Sequence, residues 1–393
     1  MSSEVFDVVV IGGGIVGAAC AAECAAERLK VAIVEARMIG GGATAAGMGH
    51  LVVMDDSEAQ FALTNYSQKL WDELRDELPR EVEHDACGTI WVAVDDEEMQ
   101  EVLRKQSFYS ERGVAVEVLD AQALYEAEPN LRPELIGGLR VPGDSVIYPP
   151  CAAQFFVDRA LGQGARLFVG KLVEAVTDNG VRLRDGSSIA AGLVVNAAGS
   201  WSPLLTPQLS VKKRKGHLLI TDRYPKFLRH QLVELGYLKS AHSVTADSVA
   251  FNIQPRKTGQ LLIGSSRQYG VEDSGVDTSI LTRMLERAIE YVPALAKLSA
   301  LRAWTGFRAA TPDKLPLIGP ALRSDSAPSS SSAQGFTSAH ERLYLATGHE
   351  GLGITTSVGT AKLLVDQIMN RTPAIPIQPY LPSRMAPETT ARA

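Results

Sequence analysis

The sequence predicts an α/β protein: a Rossmann-like dinucleotide-binding domain interleaved with an α+β domain that carries a mostly antiparallel sheet. Three features predict it: an N-terminal apolar run ending in spaced glycines, a second α/β pattern beginning near residue 151, and a strand-rich stretch from Gly216 to Trp304. Val8 to Ile11 is the apolar run that a buried parallel strand needs. Gly12, Gly14 and Gly17 follow in the spacing G-x-G-x-x-G. That spacing gives a tight turn, close approach of backbone to a pyrophosphate, and close packing of helix on strand. Ile15 and Val16 share this turn, and an alanine-rich helix, Ala18 to Arg28, turns its N-terminal N–H groups toward phosphate.

A second strand, Val31 to Val34, ends in Glu35, eighteen positions after Gly17. An acid there accepts hydrogen bonds from an adenosine ribose, and Ala36 and Arg37 continue the same edge. Glu35 argues against a 2′-phosphorylated ribose but does not separate FAD from NAD.

Next comes "RMIGGGATAAGMGHLVVMDD". Three consecutive glycines and then Ala45-Ala46-Gly47 cannot form a stable strand or long helix by propensity. The segment reads as a loop pressed against something large and flat. Residues 57–79 read as a helix with Phe61, Leu63, Tyr66, Leu70, Trp71 and Leu74 on one face. Strand-like pieces at Gly88 to Val94 and a helix from Glu97 to Glu111 follow.

The second α/β pattern has a helix Ala152 to Leu161 and a strand Ala165 to Phe168. Alternation through Val173, Val181 and Leu183 turns at Asn179-Gly180 and Asp185-Gly186. The apolar strand Leu193 to Val195 then runs into Asn196-Ala197-Ala198-Gly199, whose small side chains permit another close backbone approach. Beyond Gly216, strands dominate around one helix, Thr278 to Tyr291, and Lys257 to Gln260 turns a hairpin. A last strand, Leu343 to Ala346, precedes a glycine-rich turn and a helix, Ile354 to Ile368.

Bulk properties exclude several classes. At 393 residues, with 45% apolar and 21% charged residues, the chain suits a soluble two-domain protein. A formal net charge of -6 without a long basic run excludes nucleic acid as a partner, and the cluster Lys212, Lys213, Arg214, Lys215 reads as a solvated loop between domains. Cys20, Cys24, Cys87 and Cys151 are scattered, fit neither a metal site nor a disulfide framework, and suit a reducing, cytoplasmic setting. No run of eighteen apolar residues and no presequence is present, so no spanning helix is expected; peripheral contact with the inner membrane stays open.

Three separated glycine segments converging on one ligand exceed what NAD requires. With "GATAAGM", "VVNAAGSWS", "WTGFRAATPDKLPLIGP" and "ATGHEGLGITTS", the chain resembles the FAD-dependent D-amino-acid oxidase family, which includes glycine and sarcosine oxidases and D-amino-acid dehydrogenases. The last two segments are most similar to the D-proline and D-hydroxyproline dehydrogenase subgroup.

The resemblance implies bound FAD, touched by Gly42, Ala43, Thr44, Ala46, Gly47 and Met48 beside the flavin, and by Val173 at the adenine. Ala198, Gly199 and Trp201 would flank the pyrophosphate; Gly348, His349, Gly351, Leu352, Gly353, Ile354 and Thr355 would approach the isoalloxazine. Arg308 is implied to clamp a substrate α-carboxylate, since a planar fork matches it with two parallel bonds. Asn252 stands where some relatives carry a tyrosine that also holds the carboxylate, and Ala309 replaces the family's proline. Arg256, on the same strand as Asn252, is expected to be structural.

His50 falls near a position where some relatives attach FAD covalently, but "AGMGHL" differs from their motif, so noncovalent FAD is expected. A pocket role and a bland loop role for His50 stay open, as do pocket shaping and a self-satisfied loop for His349.

The implied reaction is hydride removal from the α-carbon of an amino or cyclic imino acid to flavin, giving the imine, with cis-4-hydroxy-D-proline and D-proline foremost. Glycine, sarcosine or opine oxidation, and a flavin subunit awaiting partners, remain alternatives. Oxygen or a quinone-linked respiratory acceptor would reoxidise the flavin; homo-oligomers and hetero-oligomeric partner subunits both stay open. The expected domains are 1–56, 140–215 and 341–372 for FAD, and 57–139 and 216–321 for substrate. A flexible serine-rich loop at 322–340 and a tail at 373–393 complete the division.

Overall fold

The computed structural model describes residues 4–236, 247–322 and 342–385. The expected loop at 322–340, apart from its first residue, and the end of the tail lie outside the described residues.

One eight-stranded sheet grows from the N-terminal strand Val5–Ile11. That strand pairs in parallel with Val31–Glu35 on one side and Ser188–Asn196 on the other. Arg166–Val169 and Leu343–Thr347 extend the parallel order outward. Leu317–Pro320 closes one edge antiparallel, and the hairpin of Val173–Thr177 and Gly180–Leu183 adds to Ser188–Asn196. Val8, Val9 and Val10 are all fully buried because layers cover both faces of this sheet. Val8 and Val10 join the core under the helices, while Phe6, Val9 and Ile11 join the core opposite.

The glycine-motif helix spans Ile15–Ala26, three residues earlier than expected, because Gly14 serves as its N-cap. It packs between helices Pro149–Gly162 and Ser357–Ile368, and Cys20 and Cys24 are sealed in that contact as small apolar groups. The helix Glu58–Leu74 begins under a Ser57 cap, whose Oγ accepts from Gln60 N at 3.1 Å. Its Trp71 is buried and donates Nε1–H to Thr355 O at 2.9 Å, tying this helix to the C-terminal glycine segment. Helices Asp96–Glu111 and Thr278–Tyr291 match their expected spans closely.

The second sheet has nine strands. From one edge they are His349–Glu350, Ala300–Ala310, Lys212–Thr221, Leu261–Arg267, Ser248–Pro255, Gln231–Glu234, Thr89–Ala93, Gly137–Val141 and Glu117–Asp120. Every pairing is antiparallel except Gln231–Glu234 with Thr89–Ala93. One face carries Ile90, Val92, Leu232, Phe251 and Ile253 into a core beneath the helix Thr278–Tyr291. The opposite face is more polar and looks toward the glycine segments.

The expectation of a solvated loop at Lys212–Lys215 is corrected here. These residues begin the long strand Lys212–Thr221, with Arg214 and Lys215 only 5% and 2% exposed. Their charges are met by residues distant in sequence. Arg214 pairs with Glu350 and donates to Tyr269 OH at 3.1 Å, and Lys215 Nζ lies 3.3 Å from Asp273. Among the described residues no helix is long and apolar enough to cross a membrane.

Candidate active site

A cavity of about 540 Å³ runs between the glycine-rich edge of the parallel sheet and the polar face of the nine-stranded sheet. Its wall is built from segments that are far apart in sequence. At one end stand Gly12, Gly14, Ile15 and Val16, with Glu35, Ala36 and Arg37 at the tip of the second strand. Gly12 has φ +108, and a side chain there would meet Ala197 O at 2.6 Å, so only glycine fits. The Ile15 amide donates to Thr44 Oγ1 at 3.0 Å, which ties the helix N-terminus to the second glycine segment.

Glu35 accepts from Gly13 N and Arg37 N, each at 2.7 Å. These two bonds fix its carboxylate at the cavity edge and leave lone pairs for a ribose. Val173, Ala198, Gly199 and Trp201 line the same end. The Trp201 ring is 39% exposed, and Arg37 lies 5.9 Å from its centroid.

The middle wall is the segment expected to press on something flat. It forms one helical turn, Gly42–Ala45, and Gly42, Ala43, Thr44, Ala46, Gly47 and Met48 all face the cavity. Gly348, His349, Gly351, Gly353 and Ile354 line the cavity as well, with Ile354 packed against Gly47. The helix here starts at Ser357 rather than Ile354, because residues 353–356 form a turn before it.

Three expected contacts fall off this wall. Gly17 is a packing glycine, since a side chain there would strike Gly12 O. Thr355 is 1% exposed and spends its hydroxyl on His50 O at 2.8 Å. Leu352 lines a neighbouring cavity instead.

The far end belongs to the nine-stranded sheet. Gly216 and Gly306 are register partners there, as are Arg214 and Arg308. Arg308 lies across Gly216, where an added Cβ would be 2.5 Å from Nη1, and its Nη1 donates to Ser266 O at 2.9 Å. Gly306 gives way to Ala46 in the same manner. Asn252, 7% exposed, shares this wall, and its Oδ1 has no hydrogen-bond partner among the described residues. Arg256 instead pairs with Glu83 at 2.6 Å, a structural role as expected.

Three histidines border the cavity and none is poised as a base. Burial pushes His50 down to about 4, with Gln254 beside it opposing the shift, and pushes His349 to about 3. His349 Nε2 lies 2.9 Å from Thr360 Oγ1, so this ring is held by its own following helix. His217 accepts from Asp277 N at Nε2, which leaves the proton on Nδ1 toward Ser266 Oγ at 2.9 Å. Burial lowers its pKa as well.

Sequence reasoning missed Gly216, His217, Ser265 and the Lys171-Leu172 pair beside Val173. Two strand-interior glycines in register were the available signal for the first, because glycine inside a strand marks a close approach.

The model of the "FAD dependent oxidoreductase" family matches residues 7–367. The chain belongs to that family. It is 27% identical to hydrogen cyanide synthase subunit HcnC of Pseudomonas aeruginosa, across 100% of this chain and 99% of that protein. It is 28% identical to the glycine oxidase of Geobacillus kaustophilus, covering 95% and 96% of the two chains. The crystal structure of glycine oxidase from that organism superposes with a TM-score of 0.83 at 27% identity, covering 97% of this chain and 99% of that one. A D-amino acid dehydrogenase of Methylobacterium nodulans is 28% identical over 80% of this chain and 70% of its own length.

The protein is therefore an FAD-dependent oxidoreductase, and the cavity fits its cofactor. Its glycine-lined turn and Glu35 at one end, and the small-residue walls Gly42 to Met48 and Gly348 to Ile354 farther along, give room for an extended dinucleotide.

Proposed function

We propose that the enzyme oxidises a D-amino or cyclic imino acid to the imine, with cis-4-hydroxy-D-proline and D-proline as its substrates, acting as a dehydrogenase or oxidase. The observation that carries this reading is Arg308: a guanidinium at the cavity wall, given room by Gly216 and Gly351 and anchored on Ser266 O. Such a fork holds a carboxylate through two parallel charge-assisted bonds. Asn252 is the second polar group at that end and offers a hydrogen bond to the same substrate.

Bound FAD supplies the hydride acceptor. It would be held noncovalently by Gly12, Gly14, Glu35, Thr44, Ala198, Gly199 and Gly353. The chain's own work is orientation: with the carboxylate fixed at Arg308, the α C–H is aimed along the cavity. No side-chain base is needed, because a water-poor pocket lowers an amine's pKa and delivers it neutral. His50 and His349 shape the wall in their neutral forms. The glycine-bearing parallel sheet serves as the FAD domain, and the nine-stranded sheet as the substrate domain.

A second reading is favoured by the end-to-end likeness to an HcnC subunit: the chain is the flavin-bearing member of a hetero-oligomer. Oxygen or a quinone-linked acceptor would take the electrons in either case.

Anaerobic flavin bleaching tests both readings. Purified holoenzyme is mixed with cis-4-hydroxy-D-proline, D-proline, D-alanine, glycine, sarcosine and the L forms. Fast bleaching by the D-cyclic imino acids is expected. Bleaching by glycine or sarcosine alone overturns that substrate class. Bleaching without turnover in either acceptor favours the subunit reading.

A further inference from the structure

A second cavity of about 90 Å³ adjoins the flavin cavity and shares His50, Asn252, Glu350 and Gly351 with it. Its floor is the polar face of the nine-stranded sheet. Gln231 stands opposite Thr89, Val233 opposite Trp91, and Val233 also opposite Asn252. Alternation along these strands therefore puts Thr89, Trp91, Gln231, Val233 and Asn252 on one face.

Gln231 is wholly buried, and Asn252 is 7% exposed. Gln231 Oε1, Asn252 Oδ1 and His50 Nε2 have no hydrogen-bond partner among the described residues. The orientation of Gln231 follows from a relay behind it. Asp144 Oδ1 accepts from Val53 N at 3.2 Å and from Gln68 Nε2 at 3.0 Å, while its Oδ2 accepts from Thr89 Oγ1 at 2.5 Å. A threonine hydroxyl has one proton. With Asp144 ionised, as it is above about pH 7, that proton is committed to the carboxylate, Thr89 accepts from Gln231 Nε2, and Gln231 Oε1 is turned to the cavity.

The charges of the lining are largely matched. Arg214 pairs with Glu350, and Lys314 Nζ lies 3.7 Å from Asp56. Arg267 lines the wall as a further source of N–H groups. Two buried amide oxygens call for a donor, which a carboxylate cannot provide. A hydroxyl both donates and accepts. A volume of about 90 Å³ admits that group.

We propose that this second cavity is the subsite for a hydroxyl substituent of the substrate, bound by Gln231 and Asn252, with Thr89 and Asp144 as positioning residues behind Gln231. The inference rests on the reading that the flavin cavity oxidises an amino or cyclic imino acid.

The test compares kcat/KM of the holoenzyme for cis-4-hydroxy-D-proline, trans-4-hydroxy-D-proline and D-proline. The wild type should prefer the cis hydroxyl over both others by at least roughly tenfold, as a site built for a hydroxyl does. Gln231→Met should lower the ratio of the cis-hydroxylated to the unsubstituted substrate by roughly tenfold or more. Thr89→Val should lower that ratio through KM, and Thr89→Ser should restore it.

A wild type indifferent to the hydroxyl overturns the subsite, whether or not the variants fold. So does a ratio unchanged by Gln231→Met. If no cyclic imino acid reduces the flavin, the substrate reading falls, and D-serine against D-alanine takes over the test. Preference for D-serine then upholds the hydroxyl subsite, and equal rates overturn it.

Discussion

Gly216→Ala offers a sharp probe of the substrate end of the cavity. The new Cβ would lie 2.5 Å from Arg308 Nη1, 3.0 Å from Cζ and 3.1 Å from Nη2. Ordinary contact begins near 3.5 Å, so the guanidinium must retreat by about 1 Å. The obstruction is the far end of a flexible side chain, so the variant should fold and keep its flavin. A misplacement of about 1 Å at a substrate-positioning group costs about 10²-fold, or about 2.7 kcal/mol in kcat/KM. The loss should fall mainly on KM, because the carboxylate contact is present in the ground state. Steady-state kinetics with D-proline, at flavin content matched by absorbance, measures it. A variant with full flavin and wild-type kcat/KM would refute the assignment of Arg308.

Gly306→Ala presses instead on Ala46, which cannot swing away, so the segment Gly42 to Met48 must shift. Overpacking of about 1–3 kcal/mol should appear as a roughly 5- to 150-fold weaker FAD Kd; full flavin occupancy on dilution would count against it. Burial pushes Asp144 from its ordinary 3.8 up to about 7, so the folded state holds this proton more tightly than the unfolded chain does. Its contribution is complete below the unfolded value and is lost as pH rises through about 7, a term of up to about 4 kcal/mol. Asp144→Asn should therefore flatten the fall in Tm between about pH 4 and about pH 7, and an unchanged slope would contradict the burial argument. Because His50 is pushed down to about 4, kcat/KM should rise with pH on the substrate amine alone. His50→Asn should leave that limb in place, and a displaced limb would make His50 a proton carrier.

Much of the nucleotide half was legible because its signals are local. The strand Val8 to Ile11, the glycine spacing and Glu35 each act on near neighbours, and they fall as expected along one cavity edge. The turn residues Lys257 to Gln260 likewise marked the hairpin of Ser248–Pro255 and Leu261–Arg267, with Gly259 in its turn at φ +86. What failed was long-range charge pairing. Four successive cations at Lys212–Lys215 imitate a solvated loop, and only the fold brings Glu350 and Asp273 to Arg214 and Lys215. The second cavity was equally hidden, since Thr89, Gln231 and Asn252 become neighbours only through strand register. Helix starts shifted by about three residues, earlier after the glycine turn that ends at Gly14 and later after the turn at 353–356, because local turns rather than apolar periodicity set the boundary.

The central claim is that Arg308 reads a substrate carboxylate at the end of the FAD cavity. Stopped-flow reduction under anaerobic conditions, with D-proline against D-prolinamide, tests it most directly. The wild type should bind the acid roughly 10²-fold or more tightly than the amide, from two charge-assisted bonds, and Arg308→Met should abolish most of that difference. Equal reduction of wild-type flavin by the acid and the amide would contradict it.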